Sequence, residues 1–305
     1  MNVLIFANPY SGRRDNPRIV ERFEQALAGA GLEPHVVWQR DRRVAALQEA
    51  GGDIRGVVAA GGDGSVADAV NDMHAAGRLD LPFATVPVGT ENLFAREFGF
   101  AVEPEAVAAA VAAGQTRPVD LGQVRAKGGG DETARLFTLM TSAGFDAEVV
   151  HRVDRWRRAT ADGSLRRVKR QSYLPRVLSA MRGYRHPLVT LTAGGQTFSG
   201  GQVYAFNLPQ YGGHLAIGQH AAPDDGKLAW VVFEKPGFLN LLGYHWLVLR
   251  RKHLRSKTVA HGHAESITIA PTNGHPTPAQ TDGDPTGFAP IQVSIRPGAL
   301  NVVKL

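Results

Sequence analysis

The residues best suited to chemistry stand in one short stretch, Gly61-Gly62-Asp63-Gly64-Ser65. It follows a buried apolar run, Gly56 to Ala60, and a helical pattern begins at Ser65 and runs to Ala76. Gly61, Gly62 and Gly64 let backbone N–H groups come close to an anion. The start of the helix adds its positive end. Asp63 is then a carboxylate beside phosphate. Two negative groups at that distance repel unless a cation lies between them, so Asp63 implies Mg2+. Read alone, the stretch is equally a simple turn with Asp63 as its cap.

Two more segments carry the same kinds of group. Asn8-Pro9-Tyr10-Ser11-Gly12-Arg13-Arg14 offers an amide, a hydroxyl, a glycine and two guanidinium groups, all suited to phosphate oxygens. Pro87-Val88-Gly89-Thr90-Glu91-Asn92 offers a hydroxyl and an amide before another helix. Near the C-terminus, Thr281-Asp282-Gly283-Asp284 holds two carboxylates. Phosphoryl transfer needs positioning, a metal on the phosphate oxygens and a carboxylate to take the hydroxyl proton. Asp63 with Mg2+ meets the first two needs, and Asp282 or Asp284 the third. By itself the latter stretch reads as a turn. There is no G-x-x-x-x-G-K-[ST] and no G-x-G-x-x-G, which sets aside a P-loop and weakens a nicotinamide reading. His261-Gly262-His263 lacks a third ligand at a diagnostic spacing and reads as solvent-exposed.

The elements that must position these groups change character along the chain. Strands at Val3–Ala7, Pro34–Trp38, Gly56–Ala60 and Pro82–Val86 alternate with helices at Pro17–Ala30, Arg43–Ala50, Ser65–Ala76, Leu93–Phe98 and Pro104–Ala113. That order implies a doubly wound parallel sheet with helices on both faces, and ligands of such sheets bind at the carboxyl edge of the strands. From Arg117 the pattern becomes short strands, at Arg117–Val124, Arg135–Ser142, Leu188–Ala193, Gln196–Phe206, Leu228–Phe233, Ser266–Ala270 and Ile291–Arg296. These predict an antiparallel β-sandwich. Gly128 to Asp131 reads as a hairpin turn. The expected domains are 1–117, α/β and nucleotide-binding, and 118–305, β-rich, with room for the last strand to return to the first domain.

Composition narrows the function classes. With 305 residues the chain is long enough for two domains. It has no cysteine, which excludes disulfides, thiolate catalysis and Cys-ligated metals and fits a reducing compartment. Its 35 Gly and 18 Pro are about a sixth of the residues, above the usual roughly 12%, and argue against a helical bundle. The first residues read as a strand, with no basic region ahead of an apolar core as a targeting segment would need. The longest apolar stretch, Phe238 to Leu249, is interrupted by Asn240, Gly243, Tyr244 and His245, so no span is expected. Charge is uneven. His151 to His186 holds eleven Lys and Arg and two Asp, a net of +9, against −3 for the rest and +6 in total. Such a concentration points to an anionic partner.

Taken in order, these motifs resemble the diacylglycerol kinase catalytic-domain family of lipid kinases. The resemblance rests on Asn8-Pro-x-Ser-Gly, Gly61-Gly-Asp-Gly-Ser and Pro87-x-Gly-Thr-x-Asn-x-Phe-Ala-Arg. Ala143-Gly144-Phe145-Asp146-Ala147, Asn207 through Tyr211-Gly212-Gly213, Asp224-Asp225-Gly226-Lys227-Leu228 and Gln280-Thr281-Asp282-Gly283-Asp284 extend it over nearly the whole chain. It implies a kinase using ATP and Mg2+ in a cleft between two domains. Residues implied to meet nucleotide are Asn8, Pro9, Ser11, Gly12, Arg13, Gly61, Gly62, Gly64, Ser65, Gly89, Thr90 and Asn92, with Asp63 on the catalytic Mg2+. Asp284 stands where the family has its general-base Glu, and Asp282 at the inner Asp of that motif. Asp225, with backbone oxygens of Lys227 and Ala222, is implied to hold a structural Mg2+. The chain departs from the pattern at Ser65 (Thr), Asp68 (Glu), Asp72 (Gly), Leu93 (Asp in many members), at Gln219-His220-Ala221, where a Pro usually lies, and at Asp284 itself. A base shorter by one methylene moves the proton acceptor by about 1 Å.

The reading that follows is a cytoplasmic lipid kinase, peripheral at the inner membrane surface, with diacylglycerol the first acceptor. Ceramide or a sphingoid base is the alternative acceptor, and a non-catalytic lipid- or nucleotide-binding regulator the alternative class. NAD kinase shares a Gly-Gly-Asp-Gly loop, but the Pro87–Asn92 and Gln280–Asp284 segments resemble the lipid branch. No nucleic-acid motif accompanies the basic window, and no nucleic-acid partner is expected. A homodimer stays open. Residues 151–186, with Trp156, Tyr173, Leu174 and Tyr184 among the arginines, read as the docking segment for an anionic membrane. Phe238 to Lys257, where Leu241, Leu242, Trp246, Leu247 and Leu249 are followed by Arg250, Arg251, Lys252 and Arg255, is a second segment that could dock, but it reads rather as a helix packed on the β domain.

Overall fold

The computed structural model describes residues 1–8, 16–100, 103–126, 134–159, 187–212 and 215–305, with 175, 177, 179 and 180 between them. The chain forms two compact units, Met1–Leu121 with Pro297–Leu305, and Gly122–Arg296.

The first unit is built on β1 (Asn2–Ala7), β2 (Glu33–Val37), β3 (Ile54–Gly61) and β4 (Pro82–Pro87). They pair in parallel in the order β2-β1-β3-β4. Val3, Ile5, Phe6, Val57, Val58, Phe83 and Val86 are fully buried, the continuous apolar runs of a sheet covered on both faces. The helices are α1 (Asn16–Gly29), α2 (Arg43–Glu49), α3 (Asp63–Ala75), α4 (Leu93–Phe98) and α5 (Pro104–Ala113). Val20, Phe23 and Leu27 of α1 recur at helical spacing and are buried. Helix α1 packs with α5, and α2 with α3. The chain steps from β1 outward to β2 through α1 and in the opposite direction from β3 to β4 through α3. Right-handed crossovers therefore put these helices on opposite faces and make the β1/β3 junction the switch point of the sheet.

The second unit is a sandwich of two antiparallel sheets. One runs β12 (Val259–Ala264), β11 (Leu228–Phe233), β10 (Gln202–Phe206), β7 (Met140–Gly144), β14 (Thr277–Thr281), β15 (Asp284–Ala289). The other pairs the first half of β16 (Ile291–Val303) with β13 (Ser266–Pro271), then β8 (Val189–Ala193) and β9 (Gln196–Gly200). Two further strands, β5 (Thr116–Ala126) and β6 (Arg135–Phe137), pair with each other at Gly122–Val124. Val203, Ala205, Leu228, Trp230 and Val232 of one sheet meet Val189, Leu191, Ile267, Ile269 and Val293 of the other, as inward-facing residues of a sandwich do. Helix α6 (Phe145–Arg158) follows β7, and α7 (Phe238–Leu249) follows β11.

Three expected elements come out differently. The strand expected over Gln196–Phe206 is two, β9 in one sheet and β10 in the other. A Cβ at Gly200 would lie 2.5 Å from Phe233 O, and one at Gly201 2.8 Å from Pro236 Cα, so only glycines let the chain turn this corner. The strand expected over Arg135–Ser142 breaks at Thr138–Leu139, whose N–H groups turn to the Asp282 carboxylate. The last strand runs on to Val303, and its end pairs in parallel with β4 through Asn301 and Val302. The expected hairpin at Gly128–Asp131 lies outside the described residues.

Candidate active site

In the first unit, Asn8 at the end of β1 and the loops after β3 and β4 come together at the carboxyl edge of the sheet. Asn8 sits at the end of β1, its Nδ2 3.5 Å from Ser65 Oγ in the first turn of α3. The helix begins at Asp63, not at Ser65, with Gly62 as its extended N-cap. Ser65 is buried and Gly64 is exposed, with open space where a side chain would stand. The loops after β3 and β4 touch backbone to backbone. Val88 N–H donates to Gly61 O at 3.1 Å. A Cβ at Gly89 would fall 2.4 Å from Gly62 Cα and 2.6 Å from Asn92 Oδ1. Asn92, in the left-handed region at φ 50°, closes its loop by accepting Gly89 N–H at 2.9 Å and donating to Gly89 O at 3.1 Å. Thr90 is exposed at the loop tip. Asn8, Gly61, Gly62, Asp63, Gly64, Ser65, Gly89 and Asn92 thus belong to one neighbourhood. Pro9, Ser11, Gly12 and Arg13 lie outside the described residues.

Asp63 has a structural duty that its motif did not disclose. Its Oδ1 accepts the Phe94 N–H at 3.0 Å, which satisfies an orphan donor of the first turn of α4. Burial raises its carboxyl above the ordinary range, against the backbone N–H groups of Phe94 and Leu93. Beneath the same sheet edge, buried Arg43 donates from Nη2 to Ala7 O at 2.9 Å. Its Nη1 lies 3.6 Å from Asp72, and its guanidinium stands over the Phe6 ring. Arg40 pairs with Asp68 at 2.6 Å. Asp68 and Asp72, two of the three acids that depart from the family pattern, are therefore the partners of Arg40 and Arg43, a link no local motif signals.

In the second unit, Asp282 is the first residue of the two-residue turn between β14 and β15, and Asp284 is the residue that follows it. Asp282 at φ 51° and Gly283 at φ 85° fit the Asp-Gly hairpin preference. The two carboxylates have opposite surroundings. Asp282 is buried and accepts the N–H groups of Thr138, Leu139 and Met140 at 2.7, 2.9 and 2.9 Å, and the Thr138 hydroxyl at 3.1 Å. Burial pushes its carboxyl up to about 6, while those donors pull it back. Asp284 opens β15, is 37% exposed, and pairs through Oδ2 with Arg135 Nη2 at 2.9 Å. Asp282 therefore braces the Phe137–Met140 break, and Asp284 is the carboxylate with solvent access.

Motifs distant in sequence meet beside this turn. Asp146 accepts from Ser142 Oγ at 2.6 Å, from Gln280 Nε2 at 3.0 Å and from the Tyr211 hydroxyl. Gln280 Oε1 takes the Gly283 N–H at 2.9 Å. Burial raises the Asp146 carboxyl, against its three donors. The Phe145-Asp146, Tyr211 and Gln280 segments are thus one network holding the hairpin that carries Asp284. Residue types alone did not single out Arg135, Thr138 or Ser142, because their importance lies in partners far along the chain.

At the Asp225 turn, the Asp225 carboxylate accepts the Lys227 N–H at 2.9 Å, an Asx-type closure. Asp225 is exposed, and Ala222 lies in the preceding loop. Among the described residues no group of three His, Asp or Glu side chains is placed to hold a metal ion. His261 and His263 are exposed and bonded to the carbonyls of Leu254 and His220.

Comparison with known proteins agrees with this architecture. Residues 2–124 match the family model of the diacylglycerol kinase catalytic domain. Residues 140–304 match the YegS C-terminal NAD kinase beta sandwich-like domain. A protein named diacylglycerol kinase from Mycobacterium tuberculosis is 28% identical over 251 residues, 81% of this chain and 76% of that protein. A crystal structure of a diacylglycerol kinase from Bacillus anthracis superposes with a TM-score of 0.68 at 18% identity, covering 100% of this chain and 97% of the other. The yeast NADH kinase in complex with NADH shares the fold more loosely, with a TM-score of 0.51 at 12% identity over 100% and 83% of the two chains. A parallel sheet with its loops gathered at the switch point, a β-sandwich carrying the acidic hairpin, and these two family matches place the chain in the diacylglycerol kinase catalytic-domain family, as a lipid kinase.

Proposed function

We propose that the chain transfers the γ-phosphoryl group of ATP, with Mg2+, to the hydroxyl of a lipid, and that diacylglycerol is its acceptor and phosphatidic acid its product. The observation that carries this reading is the gathering of Asn8, Gly62, Asp63, Ser65, Gly89 and Asn92 where β1, β3 and β4 end. Glycine-lined backbone, a helix N-terminus and a hydroxyl make a donor set for a polyphosphate. Asp63 is the carboxylate that would hold Mg2+ there. When bound, the metal supplies charge neutralisation on the phosphate oxygens.

The residues of this chain take the remaining roles. The backbone at Gly62, Gly64 and Gly89 approaches the phosphates, and Asn8, Ser65, Thr90 and Asn92 orient them, with Ser11 and Arg13 adding to the set. Asp284 takes the proton of the acceptor hydroxyl as its oxygen bonds to the γ-phosphorus and the bond to the bridging oxygen of ADP breaks. Arg135 holds Asp284 Oδ2, so the other oxygen receives the proton. Asp282 and the Asp146–Gln280 network position the hairpin. Because its acceptor lives in a bilayer, the enzyme works as a peripheral protein at an anionic membrane surface. Among the described residues no helix is long and apolar enough to cross a membrane.

The test is incubation of the purified protein with γ-labelled ATP, Mg2+ and mixed micelles of diacylglycerol, ceramide or a sphingoid base. Labelled phosphatidic acid is the expected product. A labelled ceramide or sphingoid product would replace the acceptor, and no labelled lipid at all would overturn the reading.

A further inference from the structure

The helix α7 buries only part of the apolar surface it carries. Of the eight large hydrophobic side chains exposed among the described residues, five lie on it: Phe238, Leu239, Leu242, Trp246 and Leu249. Leu239 is 79% exposed, and Leu242, Trp246 and Leu249 are each more than half exposed. Positions 239, 242, 246 and 249 recur at three and four residues, so they form one stripe, about 15 Å long at 1.5 Å per residue. The opposite side fastens the helix to the sandwich. Tyr244 and Val248 are buried, and Leu241 packs against Phe145, Val149, Val153 and Ala180. The Tyr244 hydroxyl donates to Thr258 O at 3.0 Å and accepts the Lys235 N–H at 3.1 Å. The helix expected to pack on the β domain does so, and its outer face is apolar as well.

The stripe is bordered by one sign of charge. From Lys235 to Ala264 there is no Asp or Glu, while Lys235, Arg250, Arg251, Lys252, Arg255 and Lys257 are all present and all exposed. Among the described residues none of the six is in an ion pair with a carboxylate. The Arg250 guanidinium lies 4.3 Å from the centre of the Trp246 ring, so an aromatic body and a cation stand side by side at the end of the stripe. By contrast, the arginines of α6 are largely paired at home, Arg152 and Arg155 with Glu148 and Arg158 with Asp154.

We infer that α7 and the basic segment after it form the membrane-docking surface of this kinase, with the helix lying flat in the interface of an anionic bilayer. The inference rests on the lipid-kinase reading above and deepens it. A row of apolar side chains enters the acyl boundary while Lys and Arg stems carry their charges to the headgroups. A second copy of the chain is a poor occupant. In a two-fold pairing each patch meets itself, so the six cations of one copy would face the six of the other.

Sedimentation of the full chain with phosphatidylcholine vesicles, with and without phosphatidylglycerol, tests this. Binding is expected only with the anionic lipid and is expected to fall with salt. Replacing Leu242 and Trp246 together by Ser, and separately Arg250, Arg251 and Lys252 by Gln, should each weaken binding roughly a hundredfold. Brominated acyl chains should quench the fluorescence of the wild type and much less that of Trp246→Phe. Both multiple variants should keep the wild-type rate on a dispersed short-chain diacylglycerol and lose it on vesicles. Vesicle binding unchanged in both variants would overturn the docking inference while leaving the kinase reading in place. A dimer in light scattering that the Leu242/Trp246 variant converts to monomer, without vesicle binding, would overturn it in favour of self-association. Anionic-vesicle binding that the variants abolish, in a protein that labels no lipid, would support docking and overturn the kinase reading.

Discussion

At the scale of single residues, the proposed chemistry turns on three aspartates that differ in what their oxygens already hold. Asp284 keeps one oxygen on Arg135 and is reachable from solvent. Asp284→Asn should lower turnover by about 10²- to 10⁴-fold, the usual worth of a general base, with nucleotide affinity and melting temperature unchanged. Asp282 accepts four hydrogen bonds in a buried site. Asn there would aim an NH2 group at backbone donors and strand at least one of them, so Asp282→Asn should cost about 2–4 kcal/mol. Thermal melts beside steady-state kinetics separate the two. A variant of Asp282 that melts as the wild type yet loses turnover would transfer the base to that position. Asp63 combines both duties. Asp63→Asn keeps an oxygen for the Phe94 N–H and should fold normally while losing about 10²-fold or more in Mg2+-dependent turnover. Asp63→Ala should lose that turnover and, in addition, about 1–2 kcal/mol as the α4 donor is left unpaired.

At the scale of elements, the site depends on how closely loops and helices approach. Gly62 and Gly89 bring the loops after β3 and β4 together with no side chain between them. Gly89→Ala would place a methyl group within 2.4 Å of Gly62 Cα. It should cost about 1–3 kcal/mol and raise the KM for ATP more than it lowers kcat, because the phosphate cradle is spread. An ATP titration compared with the wild type checks this. Arg43 ties α2 to the end of β1 and to Asp72 on α3. Burial lifts the Asp72 carboxyl to about 6 even with that partner present. Arg43→Met leaves a part-buried acid without its partner and should cost about 1–3 kcal/mol, with some of it returned by Asp72→Leu in the double variant. Denaturant unfolding of the two single variants and the double one measures the coupling.

At the scale of the whole molecule, the first unit is assembled from both ends of the chain. Leu300, Val302 and Val303 are buried, and Asn301 and Val302 pair with β4. Gly298 N–H donates to the buried Asp120 at 2.7 Å. Removal of Pro297–Leu305 strips three apolar side chains of about 1.5–3 kcal/mol each from that core. It should therefore lower the stability of the first unit while the Gly122–Arg296 sandwich keeps its own. Hydrogen exchange would show β3 and β4 losing protection and β10 and β11 retaining it. Equal loss in both units would refute independent cores.

The sequence by itself determined what is local. Period-two and helical apolar patterns, Gly-Gly-Asp-Gly after a buried strand, and an Asp-Gly pair flanked by strand residues depend on neighbours a few positions away, so the doubly wound unit, the β-sandwich and the turn that joins β14 to β15 are legible in the sequence. Only the tertiary structure decided what depends on distant partners. Which of Asp282 and Asp284 is structural follows from backbone N–H groups 142 to 144 residues away. That Asp63 caps α4 follows from a donor 31 positions on. The division of Gln196–Phe206 between two sheets follows from the backbone at Phe233 and Pro236 pressing on two glycines. The apolar stripe of α7 looked like core, because composition records that a side chain is apolar but not whether anything packs against it. Burial and hydrogen bonding are properties of pairs of groups, and a linear pattern specifies one member of each pair.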